Sequence, residues 1–114
     1  MKIRPAEHRD AIDMWGSTYQ DTVRALAIED QGELLAITGL RYSVPVMCFC
    51  DARPGLKRSP KTILKAARQV TQMVSEADTD VFALADEDEP TSMNFLSHIG
   101  FEHIHGRLYK WPRQ

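Results

Sequence analysis

Three cations lie where an apolar, strand-like run gives way to a long helical pattern. The apolar run is Val46–Asp51 (VMCFCD), and the amphipathic helical pattern covers Pro60–Ala77. Lys57, Arg58 and Lys61 fall at or just before the predicted start of that helix. A helix N-terminus attracts anions through its free N–H groups and its dipole, and neighbouring cations add to that attraction. The pattern predicts a phosphate-binding loop; the alternative is a solvated basic loop, since Lys and Arg are usually exposed.

Further polar side chains lie beside this loop and near the C-terminus. Ser59 is a favourable N-cap residue, and the proline that follows it suits the first helical position. Asp51 ends the apolar run, and Tyr109 falls on a predicted strand close to the C-terminus. Either side chain can transfer a proton if it faces a cleft. A structural role is the alternative for both, because proton transfer depends on a geometry that spacing does not define.

The two cysteines, Cys48 and Cys50, lie two residues apart on the predicted strand and therefore point to the same face. Such neighbours are poor disulfide partners, and a disulfide-stabilised secreted domain would contain more cysteines. Buried structural thiols are the first interpretation; a substrate-facing thiol and metal or redox chemistry are the alternatives. His98, His103 and His105 lie far away in sequence with none of the usual zinc spacings, so we expect no metal site.

Length and composition indicate one ordinary globular domain, residues 1–114. Apolar residues make up 43% of the chain, and the formal net charge is -2. The overall charge therefore gives no reason to expect nucleic acid or an anionic membrane as a partner. The predicted helix after the basic loop carries a stripe of Lys61, Lys65, Arg68 and Gln72. No aromatic residue lies in this stripe, which argues against a groove for single-stranded nucleic acid. The N-terminus has no apolar core and no run approaches the ~20 residues of a membrane helix, so we expect a soluble, cytoplasmic protein.

Hydrophobic periodicity and turn residues predict an α+β domain with a mixed sheet. The unbroken apolar run before the basic loop predicts a central strand covered on both faces, and Gly39 suggests a bulge in the preceding strand. The predicted strands are Lys2–Pro5, Thr22–Glu29, Leu34–Tyr42, Val46–Asp51, Asp80–Asp86, Glu102–Ile104 and Arg107–Trp111, and the helices are Ala6–Ser17, Pro60–Ala77 and Thr91–Ile99.

This order, β-α-β-β-β-α-β-α-β-β, resembles that of the GCN5-related N-acetyltransferase (GNAT) superfamily. The run Phe95–Phe101 (FLSHIGF) is similar to the helix-ending corner of that family, and the opening IRPA is similar to its usual first strand. The small size and the corner also resemble short acetyltransferase-like proteins of tailed phages, some of which are virion components. The resemblance implies a mostly antiparallel central sheet flanked by helices.

The resemblance also implies where a ligand would bind. In the family, the loop and helix after the central strand hold the pyrophosphate of acetyl-CoA. The matching positions here are Lys57, Arg58, Ser59 and Lys61, with the backbone of Cys50 or Asp51 beside the thioester carbonyl. The acidic run 86–89 (DEDE) would lie near the acceptor channel and attract a protonated amine. Its alternative role is a solvated loop that favours the N-terminus of the next helix.

The chain departs from the family pattern at three places. The family loop is rich in glycine, whereas residues 56–61 contain none, and Pro60 lacks an N–H. The family's common tyrosine acid is replaced by Leu96, which has no proton to donate. The segment between the first two strands has room for one helix, where the family usually has two.

Two functions follow from these observations. The first is an acetyl-CoA-dependent N-acetyltransferase, or an acyl-CoA-binding relative, that acts on an unknown amine. The second is a catalytically silent protein of the same fold that serves as a phage virion, structural or protein-interaction component. The protein would then lie in the host cytoplasm or in the virion. An open sheet also leaves edge strands through which two copies of the chain can pair.

Overall fold

The computed structural model describes residues 1–86, 88 and 92–112. The predicted order of elements is confirmed, with one short 3₁₀ helix added between the fourth strand and the second helix. The strands are β1 (Lys2–Pro5), β2 (Val23–Asp30), β3 (Glu33–Arg41), β4 (Val46–Ala52), β5 (Val81–Leu84), β6 (Glu102–His105) and β7 (Leu108–Lys110). The helices are α1 (His8–Trp15), the 3₁₀ helix (Pro54–Arg58), α2 (Pro60–Glu76) and α3 (Ser92–Ile99).

The strands form one seven-stranded sheet in the order β1-β2-β3-β4-β5-β7-β6. Consecutive strands β1 to β4 pair antiparallel, as do β5 with β7 and β7 with β6. Strands β4 and β5 pair parallel, because α2 carries the chain back across the sheet between them. The predicted mixed, mostly antiparallel α+β architecture is therefore present.

Helices cover the two faces of the sheet unequally. Val70 and Val74 of α2 and Leu96 of α3 share one buried cluster with Leu40 and Tyr109 of the sheet. On the other face a smaller cluster joins Met14 and Trp15 of α1 to side chains of β2, β3 and β4. Strand β3 lies between the two clusters, and its residues Leu34–Leu40 are all buried. The core is therefore centred on β3, with α2 and α3 on one side and α1 on the other.

A buried ion pair fixes α1 against the first strand. Both terminal nitrogens of Arg4 donate to the carboxylate of Asp10, at 2.7 and 2.8 Å. Arg4 also lies 3.2 Å from Glu29 on β2. Asp10 accepts the backbone N–H of Glu7 at 2.7 Å, and this bond is half of a capping box at the start of the helix. The Arg4 guanidinium and these hydrogen bonds hold the pKa of Asp10 below its usual range.

Two expectations about the central strands are wrong. Strand β4 lies in the middle of the sheet but is half-buried at its start and exposed over its last three residues. The reason is that α1 reaches only part of its face and β5 accompanies only its first half. No bulge occurs at Gly39; the register shifts between Ile28 and Glu29 of β2, and the extra residue there is Leu35 of β3. Gly39 is required for space, because a Cβ there would overlap the carbonyl oxygen of Arg24.

Candidate functional site

The pairing between β4 and β5 stops half-way along β4. The parallel register covers three pairs and ends at Cys48 and Ala83. Strand β4 continues to Ala52 paired only with β3, while the chain beyond β5 stays bonded to the β7 side through the N–H of Ala85 and the carbonyl of Arg107. The two strands are therefore not paired with each other beyond Cys48 and Ala83. We call the place where their pairing ends the wedge.

Backbone alternation determines which groups face the wedge. The N–H of Arg53 donates to the carbonyl of Leu35, which places residue 53 and every second residue before it in bonding contact with β3. Cys50 therefore directs its N–H and carbonyl away from β3, toward β5. Continuing the parallel ladder would bring the Cys50 N–H to the carbonyl of Leu84, but the register has already ended at Cys48. The Cys50 N–H is thus a donor on the edge of the wedge, whereas Asp51 bonds on the β3 side.

The basic loop, residues 54–61, consists of the 3₁₀ helix that follows β4, Ser59 and the first two residues of α2. Leu56 is buried against Leu35 and Ala66, which anchors the 3₁₀ helix and leaves Lys57 and Arg58 exposed on its outer side. The Nε of Arg58 donates to the carbonyl of Gly55 at 3.3 Å. This contact folds the guanidinium back over the loop.

The start of α2 differs in one detail from the sequence prediction. Ser59 occupies the N-cap position, as predicted, but its hydroxyl bonds the hydroxyl of Thr62 at 2.7 Å and does not cap a backbone N–H. The N–H of Ile63 bonds the Ser59 carbonyl, so the N–H groups of Lys61 and Thr62 are those at the open end of the helix. Lys61 is exposed beside them. Cations and free donors therefore occur together at this helix end.

Arg53 positions the start of the basic loop, a role that the sequence did not suggest. One terminal nitrogen donates to the carbonyl of Leu34 at 2.9 Å. The other donates to the backbone carbonyl and the carboxylate of Asp13 on α1, at 3.0 and 2.9 Å. The exit of β4 is thereby fastened both to β3 and to α1. An arginine between a strand and a Pro-Gly pair is the only sequence signal for this clamp.

The two candidate proton-transfer residues lie on opposite faces of the sheet. The Oδ2 of Asp51 accepts the indole N–H of Trp15 at 2.7 Å, on the α1 side. Tyr109 of β7 pairs with Ala83 of β5 and is buried in the cluster beneath α2 and α3. The two side chains therefore cannot act on the same group, and Asp51 is the one that lies next to the wedge.

Cys48 and Cys50 point to the same face, as predicted. That face is the one covered by α2 and α3, because Cys48 packs against their cluster. Both cysteines are free thiols, and Cys50 is the more exposed. Desolvation by the surrounding protein raises the pKa of Cys48 to about 12 and also raises that of Cys50, so neither is an activated nucleophile.

An aromatic cleft lies on the α1 side of the sheet, beside the end of β3, where Arg41 pairs with Val23. It has a volume of about 150 Å³, and its walls include Trp15, Tyr19, Asp21 and Arg41. The ring centroids of Trp15 and Tyr19 are 5.5 Å apart, and Phe49 of β4 lies 5.9 Å from Trp15 on another side. The sequence analysis did not identify this cleft. Most of its lining lies between Trp15 and Val23, and Arg41 joins it because it pairs with Val23 across β2 and β3.

The structure describes only part of the acidic run 86–89 and of the segment that follows it. Of the acidic run, residues 87 and 89 lie outside the described part of the chain, as does Thr91. Asp86 follows β5 and accepts the backbone N–H of Asp88 at 2.9 Å. No three His, Cys, Asp or Glu side chains within residues 1–86, 88 and 92–112 come together in a way that could hold a metal ion. In the same part of the chain, no helix has the length and apolar character needed to cross a membrane.

Comparison with known proteins gives no relative for the chain. No family model matches it, and no curated protein or solved structure is significantly similar to it. The features of the chain that bear on its function are therefore the wedge, the basic loop and the aromatic cleft.

Proposed function

We propose that the protein binds an acyl-CoA thioester in the wedge and transfers its acyl group to an amine, as a GNAT-type N-acyltransferase. The observation that carries the proposal is the end of the β4–β5 pairing at Cys48 and Ala83, which leaves the N–H of Cys50 without its ladder partner. An opening in a sheet that offers a backbone donor suits an extended ligand with a carbonyl group. The basic loop lies at the same end of β4 and suits phosphates.

The residues around the wedge fit the parts of such a ligand. The N–H groups of Lys61 and Thr62 at the start of α2 would receive the pyrophosphate, with Lys57 and Arg58 supplying positive charge. The Ser59 hydroxyl, now bonded to Thr62, can turn to accept or donate at the same place. These side chains take the place of the bare glycine backbone found in the resembled family.

The N–H of Cys50 would polarise the acyl carbonyl. Acetyl-CoA supplies an acyl group that is already activated as a thioester. A fixed backbone donor aimed at its oxygen stabilises the negative charge that develops during attack, because it needs no reorganisation. The attacking amine forms the new N–C bond and loses a proton, while the C–S bond breaks and the thiolate takes up a proton. Asp51 is the carboxylate nearest in sequence to that donor and is the candidate proton acceptor.

A second function, a catalytically silent scaffold, is favoured by the state of the loop. Pro60 has no N–H, and the guanidinium of Arg58 already bonds the carbonyl of Gly55. Leu96, at the position of the family's tyrosine acid, is buried in the core. Residues 6–22, all of which the structure describes, contain a single helix to enclose an acceptor. Such a scaffold would bind protein partners and no acyl-CoA.

Thermal unfolding with acetyl-CoA separates the two functions. A ligand present at 100 times its dissociation constant raises the free energy of unfolding by about 2.7 kcal/mol, which corresponds to several degrees in Tm for a domain of this size. We expect such a rise with millimolar acetyl-CoA and a smaller one with pantetheine, which lacks the phosphates of the adenosine end. The absence of any rise would support the scaffold and contradict the acyltransferase.

A matched pair of charge reversals identifies the site. Arg58→Glu should abolish the rise in Tm, because it puts a negative charge beside the phosphates. Arg68→Glu makes the same change on α2, eight residues beyond Pro60 and about 12 Å along the helix from its start. It should leave most of the rise intact. Equal losses in both variants would indicate general electrostatic attraction and would argue against the basic loop as the site.

A further inference from the structure

One wall of the aromatic cleft is a cation of the chain itself, Arg41, whose guanidinium rests against aromatic rings. The guanidinium carbon of Arg41 lies 5.8 Å from the ring centroid of Trp15 and 5.6 Å from that of Phe49. These distances fall within the range of cation–π attraction, and Trp is the strongest partner for it. The cleft is therefore built in a way that accepts a planar cation between two aromatic faces.

One carboxylate lies beside the same position. The carboxylate of Asp21 lies 4.0 Å from the Nε of Arg41, and a second carboxylate, that of Asp51, accepts the indole N–H of Trp15 at 2.7 Å. A carboxylate at the rim and electron-rich ring faces inside favour a cation over a neutral or anionic group. Tyr19 closes the other side of Trp15 with its ring edge.

Arg41 is held weakly enough to be displaced. Its side chain is 43% exposed and that of Asp21 is 45% exposed, and their separation of 4.0 Å is the longest that counts as an ion pair. Exposed ion pairs of this kind contribute little to stability. Arg41 lies at the end of β3, so its side chain can swing into solvent without moving the strand.

We infer that the aromatic cleft is a binding site for a guanidinium-bearing ligand, and that Arg41, from the wall of the cleft, covers the Trp15 ring in the absence of that ligand. An incoming guanidinium would take the place of Arg41 over Trp15 and Phe49 and pair with Asp21. Trp15 links the cleft to the wedge, because its indole N–H donates to Asp51, the neighbour of Cys50 on β4. If the proposed acyltransferase function holds, on which this last step rests, the acceptor is a primary amine that carries a guanidinium at its other end.

Binding can be measured without any CoA compound. In a Trp111→Phe background, Trp15 is the sole tryptophan and reports on the cleft by fluorescence. Agmatine is the probe, because it joins a guanidinium to a primary amine, and carbamoylputrescine is its counterpart that keeps the amine and has an uncharged urea in place of the guanidinium. N-acetylarginine amide tests whether an arginine side chain of a peptide binds equally well. Calorimetry on the chain that keeps both tryptophans checks the dissociation constants independently of the Trp111→Phe substitution.

We expect Arg41→Ala to bind agmatine about two- to fivefold more tightly than the unaltered chain, the factor that corresponds to losing one exposed cation–π contact from the competitor. Arg24→Ala removes an exposed arginine on β2 that pairs with Glu76, outside the cleft, and should not change the affinity. Asp21→Asn and Phe49→Leu should each weaken binding. Carbamoylputrescine should bind at least tenfold more weakly than agmatine.

Three results would overturn the inference: equal binding of agmatine and carbamoylputrescine, no gain in Arg41→Ala, or the same gain in Arg24→Ala. The outcome is independent of acetyl-CoA binding. A guanidinium site without any acetyl-CoA stabilisation would refute the acyltransferase and retain the cleft. Stabilisation by acetyl-CoA with no selectivity for the guanidinium would refute the guanidinium site and retain the acyltransferase.

Discussion

The indole N–H of Trp15 donates to Oδ2 of Asp51 across 2.7 Å and joins the last turn of α1 to the exposed end of β4. Hydrogen bonds to charged groups contribute about 1.5–3 kcal/mol, and the lower end applies at a partly exposed site. Asp51→Leu should therefore lower the free energy of unfolding by about 1–2 kcal/mol in urea denaturation, whereas Asp51→Asn, which keeps an oxygen acceptor, should cost less.

A double-mutant cycle tests whether this bond causes the loss. In a Trp15→Phe background the indole donor is gone, so Asp51→Leu should cost little beyond Trp15→Phe alone. An undiminished cost of Asp51→Leu in that background would show that the carboxylate stabilises the protein through another contact.

The buried pair of Arg4 and Asp10 should make stability depend on acid pH. The pKa of Asp10 is lower in the folded protein than in the unfolded chain, where it is about 3.9. The unfolded state therefore takes up the proton first as pH falls, and the contribution of this pair, complete above about pH 5, is lost as pH drops toward the folded pKa. Urea denaturation between pH 7 and pH 2.5 measures the loss.

Asp10→Asn should destabilise the protein by about 3 kcal/mol at pH 7, because it leaves the Arg4 charge partly buried with a weaker partner. The substitution should also make the free energy of unfolding depend less on pH below pH 5. Glu33→Gln, a change at an exposed carboxylate, serves as the control and should do neither. An equally steep acid transition in Asp10→Asn would assign the pH dependence to other carboxylates.

Gly39 should tolerate no side chain. A Cβ there would overlap the carbonyl oxygen of Arg24 and come within 2.6 Å of the Cα of Ala25, and both are backbone atoms that cannot turn aside. Gly39→Ala should therefore cost more than about 3 kcal/mol, beyond the usual range for overpacking. Gly106→Ala is the matched control: its φ is +55° but its surroundings are open, so about 1 kcal/mol is expected. Similar losses of Tm in the two variants would contradict this account.

The two thiols should differ in access but share low reactivity. Their raised pKa values leave little thiolate at pH 8, so alkylation by iodoacetamide should be slower than in a free cysteine. Cys50 is exposed and should react before Cys48, as followed by intact mass. Cys50→Ser should remove the faster step, and acetyl-CoA, if bound in the wedge, should slow that step in the unaltered chain. A rate unchanged in Cys50→Ser would place the reactive thiol at Cys48.

The elements could be predicted from local signals, and the site only in part. Prolines, turn glycines and apolar spacing defined helices and strands to within a few residues, and the apolar run before the basic loop identified the central strand. That run could not show that β5 leaves β4 after Cys48, because the divergence depends on the pairing of β5 with β7. The contact between Trp15 and Asp51 joins residues 36 apart, and it exists only once α1 packs against β4.

The partial pairing of β4 has a consequence for amide hydrogen exchange. Along most central strands, successive N–H groups are protected on both sides and exchange slowly as a block. In the last half of β4, Phe49 and Asp51 donate toward β3, whereas Cys50 and Ala52 direct their N–H groups toward the wedge. Neighbouring amides in the middle of the sheet should therefore alternate between slow and fast exchange. A molecule that fills the wedge would slow the exchange of the Cys50 and Ala52 amides toward the rates of their neighbours. Its binding would therefore be detected at single residues before any product formed.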